Sequence, residues 1–466
     1  MATEKPGNMK KTVVINVVGL TRRLIGEHTP RIRAFAGAGS LREIRPLLPA
    51  VTCSAQATYL TGQPPSGHGI VGNGWYFKEE CEIKFWRQSN RLVQAPKLWE
   101  MLRAEDPGFT CANLFWWYNM YSSADFSVTP RPNYLADGRK IPDVYSHPPE
   151  LRDTLQKELG TFPLFHFWGP KADIRSSRWI ADAALATDRQ HDPTLTLIYL
   201  PHLDYNLQRF GLDFGKIGKD LGEIDAEVGR LIDYYQGRDA RIVLLSEYGI
   251  TNVCLPVHLN RVLRAHGLLA LREERGLELL DAGASEAFAV ADHQLAHVYV
   301  RDPRQVPKVR AILEAVPGVE RVLGGQQLAD AGLNHSRSGD LVAVADAESW
   351  FTYYYWDDDL RAPDFARLVD IHKKPGYDPV ELFTDPGDPF VVPRILWKLF
   401  RKKLGFRTLM DVIPLRAELV RGSHGRLPED RQDYPIFISD NPDLGDNRLL
   451  EATEVCGELM RHLKAR

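Results

Sequence analysis

At 466 residues the chain is longer than one ordinary hydrophobic core requires, which predicts a large α/β domain with an inserted subdomain. Apolar residues make up 44% and charged residues 26%, as in a folded globular protein, and a net charge of -3 gives no electrostatic reason to expect a nucleic-acid partner. Five scattered cysteines (Cys53, Cys81, Cys111, Cys254, Cys456) with no CxxC pair argue against structural zinc or a disulfide framework and for a reducing compartment.

The opening MATEKPGNMKK before VVINVVGL has the outline of an export signal. Its apolar run is short, contains Asn16 and lacks a small-x-small cleavage site, so it reads as a buried first strand. No window reaches the length of a membrane span, and a cytoplasmic protein is expected. Residues 12–18 (TVVINVV) form a β-branched run closed by Gly19, the pattern of a central parallel strand. A helix follows across Ile32, Phe35 and Ala36, and another runs from about Ala55 to Gly62, just before Pro64 and Pro65. Strands are predicted at Phe109–Phe115, Leu195–Leu200 and Arg241–Leu245. Between the last two lies an amphipathic helix, Leu221 to Tyr235, with Ile224, Val228, Leu231 and Ile232 on one face. Alternating strands and helices indicate a parallel or mostly parallel sheet covered on both faces.

From about Pro256 to Asp340 the elements shorten, including Phe288–Val300 and Val309–Val316, and this stretch reads as an inserted cap. The expected division is a core of residues 10–255 and 341–466 around a cap of 256–340. The chain is expected to rejoin the main sheet with Leu341–Val344 and an aromatic strand, Trp350–Trp356. A Pro/Asp/Gly-rich connector then runs from Asp378 to Pro393.

Ligands of α/β sheets sit at the carboxyl ends of strands. There the sequence offers P-A-V-T-C-S-A-Q-A-T-Y-L-T-G (residues 49–62) followed by P-S-G-H-G-I-V-G-N-G-W-Y (residues 65–76). A threonine opening a helix, then T-G, H-G-I and an asparagine, resembles the nucleophile region of the alkaline-phosphatase superfamily. The branch it is similar to holds nucleotide pyrophosphatase/phosphodiesterases and phosphonoacetate hydrolase. The resemblance implies an α/β/α sandwich around a mostly parallel sheet, with an inserted cap. It places Thr52 on the nucleophile and Asn73 on the residue that helps hold the phosphoryl oxygen. A helix N-terminus favours such a hydroxyl through its dipole; by itself, Thr52 also suits a helix N-cap.

The resemblance implies a two-metal site of three aspartates, three histidines and the nucleophile, and several of these positions differ here. The Asp-Gly after the first strand is Val18-Gly19; Asn16, two residues earlier, is a weak oxygen ligand or a buried hydrogen-bonding residue. In P-H-L-D-Y-N-L-Q-R-F-G, Asp204 matches an aspartate, but Gln208 stands in the histidine position, with His202 as a substitute candidate. Ser-Asp-His-Gly becomes Ser246-Glu247-Tyr248-Gly249, and G-S-H-G-R-L-P places His424 on the closing histidine. Asp204, His424, Glu247 and Gln208 are thus the metal-ligand candidates. Asn16, His202, Tyr248, Asp370 and His372 are weaker ones, alongside His258 and the segment D-H-Q-L-A-H (residues 292–297). Such a set suits one or two divalent ions, zinc or, given its oxygens, magnesium or manganese.

The expected function is metal-dependent hydrolysis or phosphoryl transfer on a phosphodiester, phosphomonoester or phosphonate of a small molecule, with Thr52 as nucleophile. The alternatives are a catalytically silent binding relative and a lyase or isomerase acting on a phosphorylated metabolite. The aromatic segment 112–121 suits either the core or a pocket for a planar leaving group. Residues 394–407, R-I-L-W-K-L-F-R-K-K-L-G-F-R, form a basic amphipathic helix that suits packing on the sheet or weak peripheral contact with an anionic membrane.

Overall fold

The computed structural model describes residues 9–136, 139–442 and 448–465. Two sheets carry the architecture. Before residue 250 lie β1 (Thr12–Val17), β2 (Ser40–Arg45), β3 (Cys111–Leu114), β4 (Phe126–Pro130), β5 (Val144–His147), β6 (Leu195–Leu200) and β7 (Arg241–Leu245). Four further strands follow: β8 (Ala287–Asp292), β9 (Leu295–Val300), β10 (Val319–Gly324) and β11 (Leu341–Ala345). The last two are β12 (Ile436–Ser439) and β13 (Leu450–Glu451).

The main sheet has the order β13-β2-β12-β7-β1-β6-β3-β4-β5. Its centre is parallel, with Thr12–Val17 in register with Leu195–Leu200 on one side and Arg241–Leu245 on the other. Every residue of β1 and β6 is buried, so an unbroken β-branched and Leu-rich run was the correct signature of a strand covered on both faces. β12 and β5 run antiparallel to their neighbours. The helices α1 (Pro30–Ala38), α2 (Thr52–Thr61), α3 (Ile174–His191), α4 (His202–Phe210), α5 (Phe214–Gln236), α6 (Val391–Lys403) and α7 (Val455–Lys464) follow in chain order. α1 and α3 pack on α5 to form one layer, and α2 packs on α7 in the other. This is the expected α/β/α sandwich.

The second sheet, order β8-β9-β11-β10, is antiparallel throughout and forms the cap. Here the chain departs from the sequence reading. Leu341–Ala345 does not rejoin the main sheet but fits between β9 and β10. In the aromatic stretch, Ser349–Phe351 pairs with Leu255–Val257, and Tyr353 to Trp356 are buried in a second hydrophobic core. That core draws on residues from Val253 to Val420 together with Phe85. A short apolar run reports burial but not its partner, and an antiparallel cap needs the same side chains as a parallel core. Phe288–Val300 is a hairpin broken at His293 and Gln294, and Val309–Val316 lies mostly within the helix Val306–Glu314. β12 and β13 are the strands that return to the main sheet.

Candidate active site

The site lies beyond the carboxyl ends of β1, β6 and β7, where α2, α4 and the residues after β7 converge with the cap hairpin. Gly422 allows the closing segment to approach: a Cβ there would stand 2.1 Å from the Leu207 carbonyl oxygen of α4. His424 thereby reaches the centre.

Thr52 is the first residue of α2, and the N-cap position belongs to Val51. The Thr52 hydroxyl bonds to the Tyr248 hydroxyl at 3.0 Å rather than to the helix backbone. The capping role is therefore not the one it plays. Tyr248 in turn donates to Asp204 Oδ1 at 3.3 Å, and Gln208 Nε2 donates to Asp204 Oδ2 at 2.9 Å. The four-residue spacing of Asp204 and Gln208 does put them on one face of α4. Gln208 Oε1, however, accepts from the Tyr377 hydroxyl at 3.0 Å, so its amide is spanned between two protein groups.

Glu247 Oε1 accepts from Asn16 Nδ2 at 2.6 Å and from Gln56 Nε2, while Oε2 is buried without a hydrogen-bond partner. Gln56 is four residues after Thr52 on the same helical face; that spacing was its only signal in the sequence. Asn73 Oδ1 accepts from the Cys53 N–H at 3.0 Å, and its amide Nδ2 donates to Asp292 Oδ1 at 3.0 Å. Asp292 also takes the Asn73 backbone N–H at 2.7 Å, so the cap holds Asn73 in place.

His424 Nδ1 donates to the Ala50 carbonyl at 2.7 Å, which fixes the tautomer and leaves Nε2 as a lone pair without a hydrogen-bond partner. Burial pushes its pKa down to about 3, so the ring is neutral. The ring stacks on Tyr248 at 3.6 Å and meets His293 at 3.6 Å with a 36° tilt, and His293 stacks on Tyr377 at 3.7 Å. The result is a four-ring column, Tyr248–His424–His293–Tyr377, whose members and Thr52 are each at most 4% exposed. His293 falls in the candidate segment D-H-Q-L-A-H (residues 292–297), whereas Tyr377 carried no signal in the sequence, because its role depends on how the cap side docks.

Other candidates lie elsewhere. Val18 is core. His202 is two residues from Asp204, about 200° around the helix, and faces α5, with Nε2 3.3 Å from both Asp220 Oδ1 and Glu223 Oε2. Among the described residues, His202, Asp220 and Glu223 are the group whose potential ligand atoms lie within 4.8 Å of one another; the site candidates form none. Asp370 pairs with Lys373, His372 Nδ1 faces the Phe85 carbonyl at 3.3 Å, and His258 bonds Thr352. His297 bonds the Val71 carbonyl. The aromatic segment divides: Phe115 and Trp116 belong to the core, whereas the Trp117 N–H donates to Gln56 Oε1 at 2.6 Å beside the site.

The donor set can be tested against the metals of the resemblance. Asp204 Oδ1 and the free lone pair of His424 stand 4.0 Å apart, wider than the roughly 3.3 Å between two tetrahedral zinc ligands, so the pair must close by several tenths of an ångström to hold one ion. The position bounded by Val18 and Tyr248 does not fit a second zinc. Valine has no donor, and the tyrosine hydroxyl is engaged between Thr52 and Asp204.

Burial raises the pKa of Glu247 to about 8, against the hydrogen bonds from Gln56 and Asn16, and raises Asp204 to about 7. The native state therefore retains protons that the unfolded chain has already released, and the Glu247 contribution to stability falls as pH rises from about 4.5 to about 8. Replacing Glu247 by the uncharged isostere is expected to matter little at acid pH and to stabilise increasingly toward pH 8. Thermal unfolding of metal-stripped native and Glu247→Gln proteins across pH measures this, and a pH-independent difference would contradict it.

Residues 12–378 match the family model described as type I phosphodiesterase / nucleotide pyrophosphatase. No curated protein sequence matches the chain. Among solved structures it is similar to phosphonoacetate hydrolase from Sinorhizobium meliloti 1021 in complex with phosphonoformate, with TM-score 0.60, 14% identity, and coverage of 98% of this chain and 96% of that one. It is also similar to human ectonucleotide pyrophosphatase/phosphodiesterase 5, with TM-score 0.59, 15% identity, and coverage of 98% and 95%. The inactive murine counterpart in complex with AMP gives TM-score 0.59, 14% identity and the same coverage. At these identities the likeness is one of fold.

Proposed function

The chain belongs to the type I phosphodiesterase / nucleotide pyrophosphatase family, and on that premise we propose that it hydrolyses a phosphodiester, phosphomonoester or phosphonate of a small molecule, with Thr52 as nucleophile. The observation that carries this reading is the Thr52 hydroxyl at the start of α2, joined at 3.0 Å to the Tyr248–Asp204 pair beside the protonatable Glu247. The small phosphorylated ligands of the similar structures, AMP and phosphonoformate, support the substrate class.

In this reading Thr52 Oγ1 forms a bond to phosphorus as the ester or phosphonate leaving group departs, and Glu247 takes the hydroxyl proton. A carboxyl with a pKa near 8 is ionised for that task only as the pH approaches 8, so turnover is expected to rise over that range. Water then cleaves the covalent intermediate and regenerates the hydroxyl. The Asn73 amide, oriented by Cys53 and Asp292, supplies a donor toward the phosphoryl oxygens. His424 and Asp204 would hold one divalent ion, which when bound polarises a phosphoryl oxygen. Tyr248 keeps the Thr52 hydroxyl in line with Asp204.

A second reading, a catalytically silent binding relative, is favoured by the four-ring column, which fills the centre with stacked side chains. Metal analysis of protein purified without chelator, followed by a panel of nitrophenyl phosphoesters and phosphonates before and after chelation, separates the two. The hydrolase reading expects bound metal and turnover that chelation removes and a divalent ion restores. Metal-free protein without turnover, even after zinc, manganese or magnesium is added, would sink it and leave the silent reading.

A further inference from the structure

The amphipathic helix does not pack on the sheet with its basic face in water. Of α6, only Val391 is buried. Leu396, Trp397, Phe400, Leu404, Phe406 and Leu409, on and just after the helix, are 51–62% exposed. At 100° per residue, Leu396, Phe400 and Trp397 share one arc, while the buried Val391 and the half-buried Ile395 occupy the opposite side, where Ile395 packs on the second core. The apolar face is thus the outward face, the inverse of an ordinary surface helix.

Its charges are of one sign. Residues 389–410 contain six Lys and Arg and no carboxylate. Arg394 pairs with Asp388 and Lys398 with Asp411, which tie the helix to its own flanks. Arg401 borders the apolar arc, Lys403 lies beside Leu396 at its other edge, Lys402 starts from the Val391 side in the last turn and Arg407 follows the helix; among the described residues no ion pair engages these four. A partner that is apolar at depth and anionic at its surface matches this pattern; a second copy of the same face would set like charges against each other.

We propose that α6 is an interfacial helix that seats this protein on an anionic lipid bilayer, with Trp397 and Phe400 immersed and Arg401, Lys402 and Lys403 among the headgroups. Among the described residues no helix is long and apolar enough to cross a membrane, so the contact is peripheral. The helix is also inserted in the chain between Tyr377 and His424, two members of the ring column that both touch His293.

Cosedimentation of the full chain with phosphatidylcholine vesicles, with and without phosphatidylglycerol, tests the contact. Binding is expected to require the anionic lipid and to weaken with salt. The double substitution Trp397→Glu/Phe400→Glu, at exposed positions, is expected to lower the bound fraction tenfold or more with an unchanged thermal midpoint. Arg401→Glu/Lys402→Glu/Lys403→Glu is expected to abolish the preference for the anionic vesicles. Thr52→Ala should bind like the native chain, so a failed hydrolase reading leaves this result standing. Native protein that stays in the supernatant with anionic vesicles at low salt overturns the proposal. So does a Trp397→Glu/Phe400→Glu protein that binds undiminished, or a dimer in solution dispersed by that substitution without any vesicle binding.

Discussion

Thr52→Ala is expected to lower turnover by at least about a thousandfold, the scale on which loss of a nucleophile is felt when other binding groups remain. The substitution removes one buried hydrogen bond, to Tyr248, worth about 1 kcal/mol. The folded protein should therefore survive, with its metal content unchanged if Asp204 and His424 are the ligands. Thr52→Ser keeps a hydroxyl at the same helix position and should retain most of the rate. Steady-state kinetics on a substrate turned over by the native protein, with metal content measured in parallel, decides the matter. Full metal-dependent activity in Thr52→Ala would remove the threonine from the chemistry.

The largest stability effect is expected at Lys374, which is fully buried between Asp378 at 2.7 Å and Glu381 at 2.8 Å. Burial alone would depress its pKa, but the charges of Asp378 and Glu381 outweigh that and raise it, so the ammonium is retained. Glu381 also accepts from the Trp168 indole N–H at 2.6 Å. The network fixes the segment that presents Tyr377 to Gln208 and His293. Lys374→Met would leave two buried carboxylates without their cation and is expected to cost about 3–5 kcal/mol. Urea unfolding measures the loss, and hydrogen exchange over residues 374–382 shows whether it begins there. Adding Asp378→Asn and Glu381→Gln should recover much of it, because uncharged groups tolerate the same burial. A single substitution within about 0.5 kcal/mol of the native protein would show that the segment is held by other contacts.

Much of the main sheet was legible from residues alone. A central parallel strand buried on both faces has few sequence solutions, and β1, β6 and β7 use them. The motif order around Thr52 and Asn73 also carried over to one site, since Cys53 and Asn73 are joined by a direct hydrogen bond. The second core was misread at Leu341–Ala345 and Trp350–Trp356, where apolar patterning announces burial without naming the sheet. The basic helix was ambiguous for a related reason. Its periodicity defines two faces, but only the contacts of Val391 and Ile395 reveal that the apolar one points outward.

What the sequence by itself determined is the frame: an α/β/α sandwich, a threonine opening a helix beyond the strand ends, and a ligand set in which Val18, Gln208 and Tyr248 break the metal pattern. The alternating elements and the threonine at a helix start follow from local spacing, while the sandwich and the metal pattern follow from the resemblance of the motifs. Tertiary structure alone decided the rest. It turned His202 toward Asp220, used Gln208 to bridge Asp204 and Tyr377, and brought His293 and Tyr377 from the cap into a column with His424 and Tyr248. The physical reason is that a ligand's availability depends on what else claims its lone pairs and ring faces. The claim on His202 comes from the neighbouring helix, and those on Gln208 and His424 come from segments more than a hundred residues away that meet only when the cap docks on the sheet.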